Sequence, residues 1–254
     1  MKAKLISFFK EAWRPTLLIA AVCLVIYLLS LLASGSTYFV FWGDAANQAQ
    51  NNFPTLADVR DTQGGNFNWT FIFIFTVVIY IYASELKKKN YRGIVAGLSL
   101  YGVHWLYEIA NAIIGKAAGA ALWNVSPEST SFILLIGVSW ELSMMFSLAG
   151  IIMSKLLPDD PHKKILGINN RWLFAIVNAA FFAIFEIFLA GTSAFIWVYP
   201  WWGAIPVFIT TYIPFFLAAF LVPDAKVKTQ RIFLLATWGL AIILLAVLIP
   251  AGII

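Results

Sequence analysis

YGVHWLYEIANAIIG, residues Tyr101 to Gly115, is apolar enough to lie in a bilayer, yet it carries His104, Glu108 and Asn111. Their i, i+4, i+7 spacing puts all three on one face of a helix. An ionisable side chain at membrane depth costs about 2.5–3.5 kcal/mol on insertion scales. The rest of the chain must offset that cost, so the site lies wherever the partners of this face are.

Composition sets the class. Of 254 residues, 61% are hydrophobic and 11% charged, against about 25% charged in a soluble domain. The chain reads as an integral membrane protein whose length suits a single transmembrane domain, residues 1–254. Its net charge of +5 comes from basic loops and implies no nucleic-acid partner. A lone Cys23 in an apolar run rules out an intrachain disulfide framework and a Cys-rich metal site.

Working outward, hydropathy predicts an all-α bundle of seven transmembrane helices at about 16–33, 69–84, 93–115, 130–154, 172–195, 203–222 and 232–254. Residues 1–12, MKAKLISFFKEA, alternate Lys with Leu, Ile and Phe and predict a short interfacial helix. Residues 34–68 form a long outer loop, expected to be a lid or locally folded. Lys and Arg are plentiful in every second connection. That alternation places the N-terminus in the cytoplasm and the C-terminus outside, as in a multi-pass protein of the cell membrane. Trp69, Trp123, Trp197, Trp201 and Trp202 fall at the outer span ends and read as interfacial anchors.

The topology allows depth to be counted at 1.5 Å per residue. His104 and Glu141 fall about 16 Å below the outer ends of their spans, Glu186 about 14 Å and Glu108 about 10 Å. Three consecutive spans thus carry three carboxylates and an imidazole at one level, with no Lys or Arg near it. Three unneutralised carboxylates cannot coexist there, so protons, a bound cation or water must compensate. A metal is one expectation: His104, Glu108, Glu141 and Glu186 form a mixed N/O set suited to zinc, iron or manganese. Without metal, Glu108, Glu141 and Glu186 are candidate catalytic acids and bases. Tyr101, Asn111, Trp140, Thr210, Thr211 and Tyr212 are the candidate substrate pocket. The last three lie between Pro206 and Pro214, where a kinked helix frees backbone carbonyls.

Two functions fit these residues. One is a membrane enzyme acting on a lipid-soluble substrate such as an isoprenoid, quinone or acyl lipid. The other is a cation- or proton-coupled transporter using the same Glu/His cluster. A membrane subunit of a larger complex or oligomer is a third reading. Membrane lipid is a partner in each.

Overall fold

A computed structural model describes residues 2–44, 69–126, 132–192 and 194–254. Its body is helical. Helix α1 spans Lys2–Leu32, α2 Thr70–Lys87, α3 Tyr91–Ala118, α4 Trp140–Ser154 and α5 Asn170–Gly191. A broken helix follows: α6 Ala204–Val207, a π-helical turn Phe208–Tyr212 and α7 Ile213–Leu221, with α8 at Val227–Leu248. Among the described residues, five stretches are long and apolar enough to cross a membrane: 12–32, 70–87, 170–191, 204–224 and 227–248. The α3 helix has 28 residues but carries polar and charged ones. The α4 helix is apolar but has only 15.

Several expectations need correction. The all-α class holds for the body only, because three two-stranded antiparallel ribbons join it. These are β1 (Trp123–Val125) with β6 (Phe195–Trp197), β2 (Ile133–Leu135) with β3 (Val138–Ser139), and β4 (Lys164–Ile165) with β5 (Ile168–Asn169). The expected fourth span, 130–154, is therefore not one helix. Gly137 and β-branched Ile133 and Val138 favour the β2–β3 hairpin. Ser139 then starts α4, its hydroxyl accepting from the Leu142 N–H at 3.3 Å. The hairpin is buried, and its polar backbone is paired: Val125 N–H donates to Ile136 C=O and Trp140 N–H to Phe132 C=O. Non-helical backbone is tolerated at such depth only when protein covers it in this way.

The separate interfacial helix is also absent. Helix α1 runs unbroken through Pro15, at the loss of one backbone hydrogen bond. The Thr16 hydroxyl donates to the Ala12 carbonyl just before that point. Residues 45–68 of the expected outer loop lie outside the described residues. Its first part, to Gly43, runs against the far end of α5 and the start of α6. There Val40 N–H donates to Ile187 C=O, Ala204 N–H to Phe41 C=O, and Gly43 N–H to Trp202 C=O.

Helix α3 is the hub, packing on α4, α7 and α8, while α2 leans on α4, and α1 and α7 flank α5. Helices α4 and α5 do not pack extensively on each other, although they are consecutive in the chain. The broken helix stands beside both and leaves a gap between them. Charged side chains gather at the opposite end from β1 and β6. Asp224 accepts from Arg92 (2.5 Å) and from buried Arg171 (2.6 Å). Lys155 pairs with buried Glu85, and Arg14 reaches the Leu166 carbonyl at 3.5 Å. Gly167, at φ +75°, adopts a left-handed conformation that a residue with a Cβ takes only with strain.

Candidate functional site

The gap between α4 and α5 holds a cavity of about 50 Å³. Leu142, Met145 and Phe146 line it from α4, and Phe182, Phe185, Glu186 and Leu189 from α5. Val207, Thr211, Tyr212 and Phe215 form its back, on the broken helix. Glu108, Trp123, Gly137 and Phe195 close the end nearest the β1–β6 ribbon. Met145 is 42% exposed and Phe185 44%. Both line the cavity and also reach the outer surface of their apolar helices.

Polar groups in this apolar space are few and arranged in pairs. The Tyr212 hydroxyl donates to Glu186 Oε1 at 2.5 Å. The Trp123 indole N–H donates to Glu108 Oε2 at 3.3 Å. The Trp197 indole lies near Glu186 as a longer polar neighbour. Glu108 and Glu186 line the same cavity. The Thr211 hydroxyl is buried without a hydrogen-bond partner. Two carboxyl groups thus line one small cavity, with no basic side chain among the described lining residues.

Local geometry explains how Glu108 is held. Its neighbour one turn on, Asn111, donates to the Trp123 carbonyl (2.8 Å) and accepts from Leu122 N–H (2.8 Å). That ties the chain leaving α3 back onto the helix and sets the Trp123 indole over the carboxyl group. Trp202 stacks on Trp123 with centroids 6.0 Å apart. Gly137 makes the approach feasible: a Cβ there would lie 2.4 Å from Trp123 Nε1 and 2.6 Å from Glu108 Oε2.

His104 lies behind Glu108, fully buried, and does not line the cavity. Its Nε2 is 3.6 Å from Glu108 Oε1, and neither ring nitrogen has a hydrogen-bond partner. Phe146 covers the ring at 4.3 Å, with Phe215 and Tyr101 at 6.0 Å.

The expected site residues divide accordingly. Glu108, Glu186, Thr211 and Tyr212 meet at the cavity. His104 adjoins it, and Asn111 acts through the backbone. Glu141 lies in the first turn of α4, half-buried, outside the lining. Trp140 packs edge-on against Phe71. Tyr101 shares a hydrogen bond with Ser143 at 2.7 Å. Thr210 faces outward, its hydroxyl donating to Pro206 C=O. Depth counting grouped these residues by span, but it does not state which side of its helix each one occupies. Among the described residues, no three His, Cys, Asp or Glu side chains come together as metal donors. The expected four-donor metal set is therefore not assembled.

Trp123, Trp197 and Gly137 were missed. A Trp near a span end carries the signal of an interfacial anchor, and nothing in its neighbours distinguishes an indole turned inward onto an acid.

A family described as an uncharacterized membrane protein family matches residues 44–250. This chain belongs to that family. It is a membrane protein, and every cavity residue named above lies within the matched region. A protein of Archaeoglobus fulgidus, described as an uncharacterized protein, is 42% identical over 191 residues, covering 74% of this chain and 86% of its own length. No solved structure matches.

Proposed function

We propose that this protein is an integral membrane enzyme that takes a lipid-soluble substrate sideways from the bilayer and performs acid–base chemistry on it with Glu108 and Glu186. The observation that supports this reading is a pair of carboxyl groups lining one apolar cavity whose wall includes Met145 and Phe185, side chains that also reach the outer surface of the bundle. Two such groups in a dry space favour sharing a proton over ionising together. One then donates a proton to a carbon–carbon double bond while the other removes a proton from a neighbouring carbon. The net change is an isomerisation, and it requires no co-reactant.

In this reading the chain crosses the cell membrane seven times, counting α3 and the α4 helix with its hairpin. The N-terminus is cytoplasmic and the C-terminus outside. Support comes from the meeting of Arg14, Arg92, Lys155, Arg171 and Asp224 at one end of the bundle. The runner-up, a proton- or cation-coupled transporter, needs a polar route from the cavity to that charged end. Asn178, which would begin it, donates to Phe174 C=O of its own helix at 2.8 Å instead.

Solvent deuterium tests the proposal. Purified protein in nanodiscs is incubated in D2O with a lipid extract of native membranes. Deuterium should enter carbon-bound positions of one lipid-soluble compound, and Glu108→Gln and Glu186→Gln should each abolish the uptake. Equal labelling by wild type and both variants, or none by wild type, sinks the enzyme reading. Proton flux into proteoliposomes lost in Glu186→Gln would establish the transporter instead.

A further inference from the structure

Charge and ring placement say more about the ligand, on the assumption that the cavity is the substrate site proposed above. Among the described residues, its lining holds two carboxyl groups and neither Lys nor Arg. Apart from Gly137 and Thr211, the rest of the lining is aromatic or aliphatic. Phe146 lies 5.8 Å from Phe215 and 6.1 Å from Phe182, and Phe182 lies 5.5 Å from Tyr212. These rings are in mutual contact and line the same cavity as the acids. Aromatic faces attract positive charge, and more strongly when the site is desolvated. A fatty acid carboxylate, a phosphate or a diphosphate would meet two acids and find no cation. Such head groups are therefore excluded from the cavity, although the membrane is rich in them.

We infer that the cavity recognises positive charge carried on an apolar body. That charge has two chemical sources. One is a permanent organic ammonium group on the ligand. The other is a carbocation-like centre formed when a carboxyl group protonates a neutral alkene, which the same rings and the remaining carboxylate would stabilise in the transition state. Both are cations of low hydration, so one wall serves either. His104, buried behind Glu108 with Nε2 3.6 Å from Oε1, does not line the cavity.

A competition experiment separates the outcomes. Tritiated dodecyltrimethylammonium is bound to the full-length protein in maltoside detergent and displaced by unlabelled dodecyltrimethylammonium, dodecanol or dodecanoate. The cation should compete at a concentration roughly tenfold or more below that of either other probe. Glu108→Gln and Glu186→Gln, tested separately so that misfolding of one leaves the other, should each weaken cation binding about tenfold and leave dodecanol within about twofold. A cation competing no better than dodecanol, or dodecanoate competing best, overturns the inference. Met145→Trp then tells which idea has failed. Loss of dodecanol binding in that variant keeps the lateral pocket and removes only the charge preference. Unchanged binding of every probe removes the pocket as well. To separate the two sources, wild type is given a lipid alkene in D2O with and without the ammonium probe. Inhibition of deuterium uptake by the cation identifies it as a transition-state mimic. Binding without any alkene chemistry identifies a true ammonium ligand.

Discussion

Glu108 shows how a single carboxyl group is made tolerable in an apolar interior. It keeps a Trp123 donor at 3.3 Å, a His104 nitrogen at 3.6 Å and the cavity itself. Those contacts depend on an empty space at Gly137. Gly137→Ala is expected to push Trp123 and Glu108 apart and to destabilise the protein by about 1–3 kcal/mol, the usual cost of overpacking. Thermal unfolding in detergent, followed by tryptophan emission, checks it, and an unchanged melting temperature would contradict the geometry. Asn111→Ala should cost about as much, because it leaves the Leu122 N–H and the Trp123 carbonyl without their partner. Glu108 was legible in the sequence as a buried acid on a helix face. Its dependence on Trp123, twelve residues beyond Asn111, was not, since that contact is made only after the chain turns back at Gly119.

The decisive element is the broken helix from Ala204 to Leu221. In a regular helix the N–H of residue 214 would pair with the Thr210 carbonyl, but Pro214 has none. The Tyr107 hydroxyl donates to that carbonyl instead, at 2.7 Å. The π turn Phe208–Tyr212 takes up the remaining slack and turns Thr211 and Tyr212 toward the cavity while Thr210 faces out. A double-mutant cycle tests this substitution of one donor for another. Tyr107→Phe alone should cost about 1 kcal/mol of stability. In a Pro214→Ala background, where the backbone N–H is restored, the same change should cost clearly less. Equal costs in both backgrounds would mean that the hydroxyl does not replace the missing donor. The two prolines flagged a kink here, but neither a proline nor its spacing states which of three adjacent polar residues will face inward.

At the scale of the whole molecule, charge and apolarity separate along one axis. Asp224 joins α3 and α5 through Arg92 and Arg171, far from the Trp123–Trp197 ribbon. Arg171 is almost wholly buried, whereas Arg92 is largely exposed. Asp224→Ala should therefore destabilise the fold by about 3–5 kcal/mol, the cost of stranding a buried charge. Arg92→Ala should cost no more than about 1 kcal/mol. Unfolding of both variants in parallel checks the contrast. Orientation is tested with Cys23→Ser carrying one new cysteine. A cysteine at Trp201 should react with an impermeant maleimide in intact cells, and one at Lys228 only after lysis. The reverse pattern would invert the proposed topology.

Hydropathy and residue type by themselves determined the membrane class and the positions of most helices. Apolar run length and helical periodicity are local properties, and membrane insertion depends on them directly. The tertiary structure decided the rest. It interrupted the run 130–154 with a hairpin, because the β1–β6 ribbon offered pairing for backbone that a helix would have paired internally. It placed the broken helix between elements that are consecutive in the chain, so that Glu108 and Glu186 face a shared cavity while Glu141 remains outside it. Which acids meet is a matter of helix rotation and partner choice. Both are set by packing among residues far apart in the chain, such as Glu108, Phe146, Glu186 and Tyr212, beyond the reach of any local pattern.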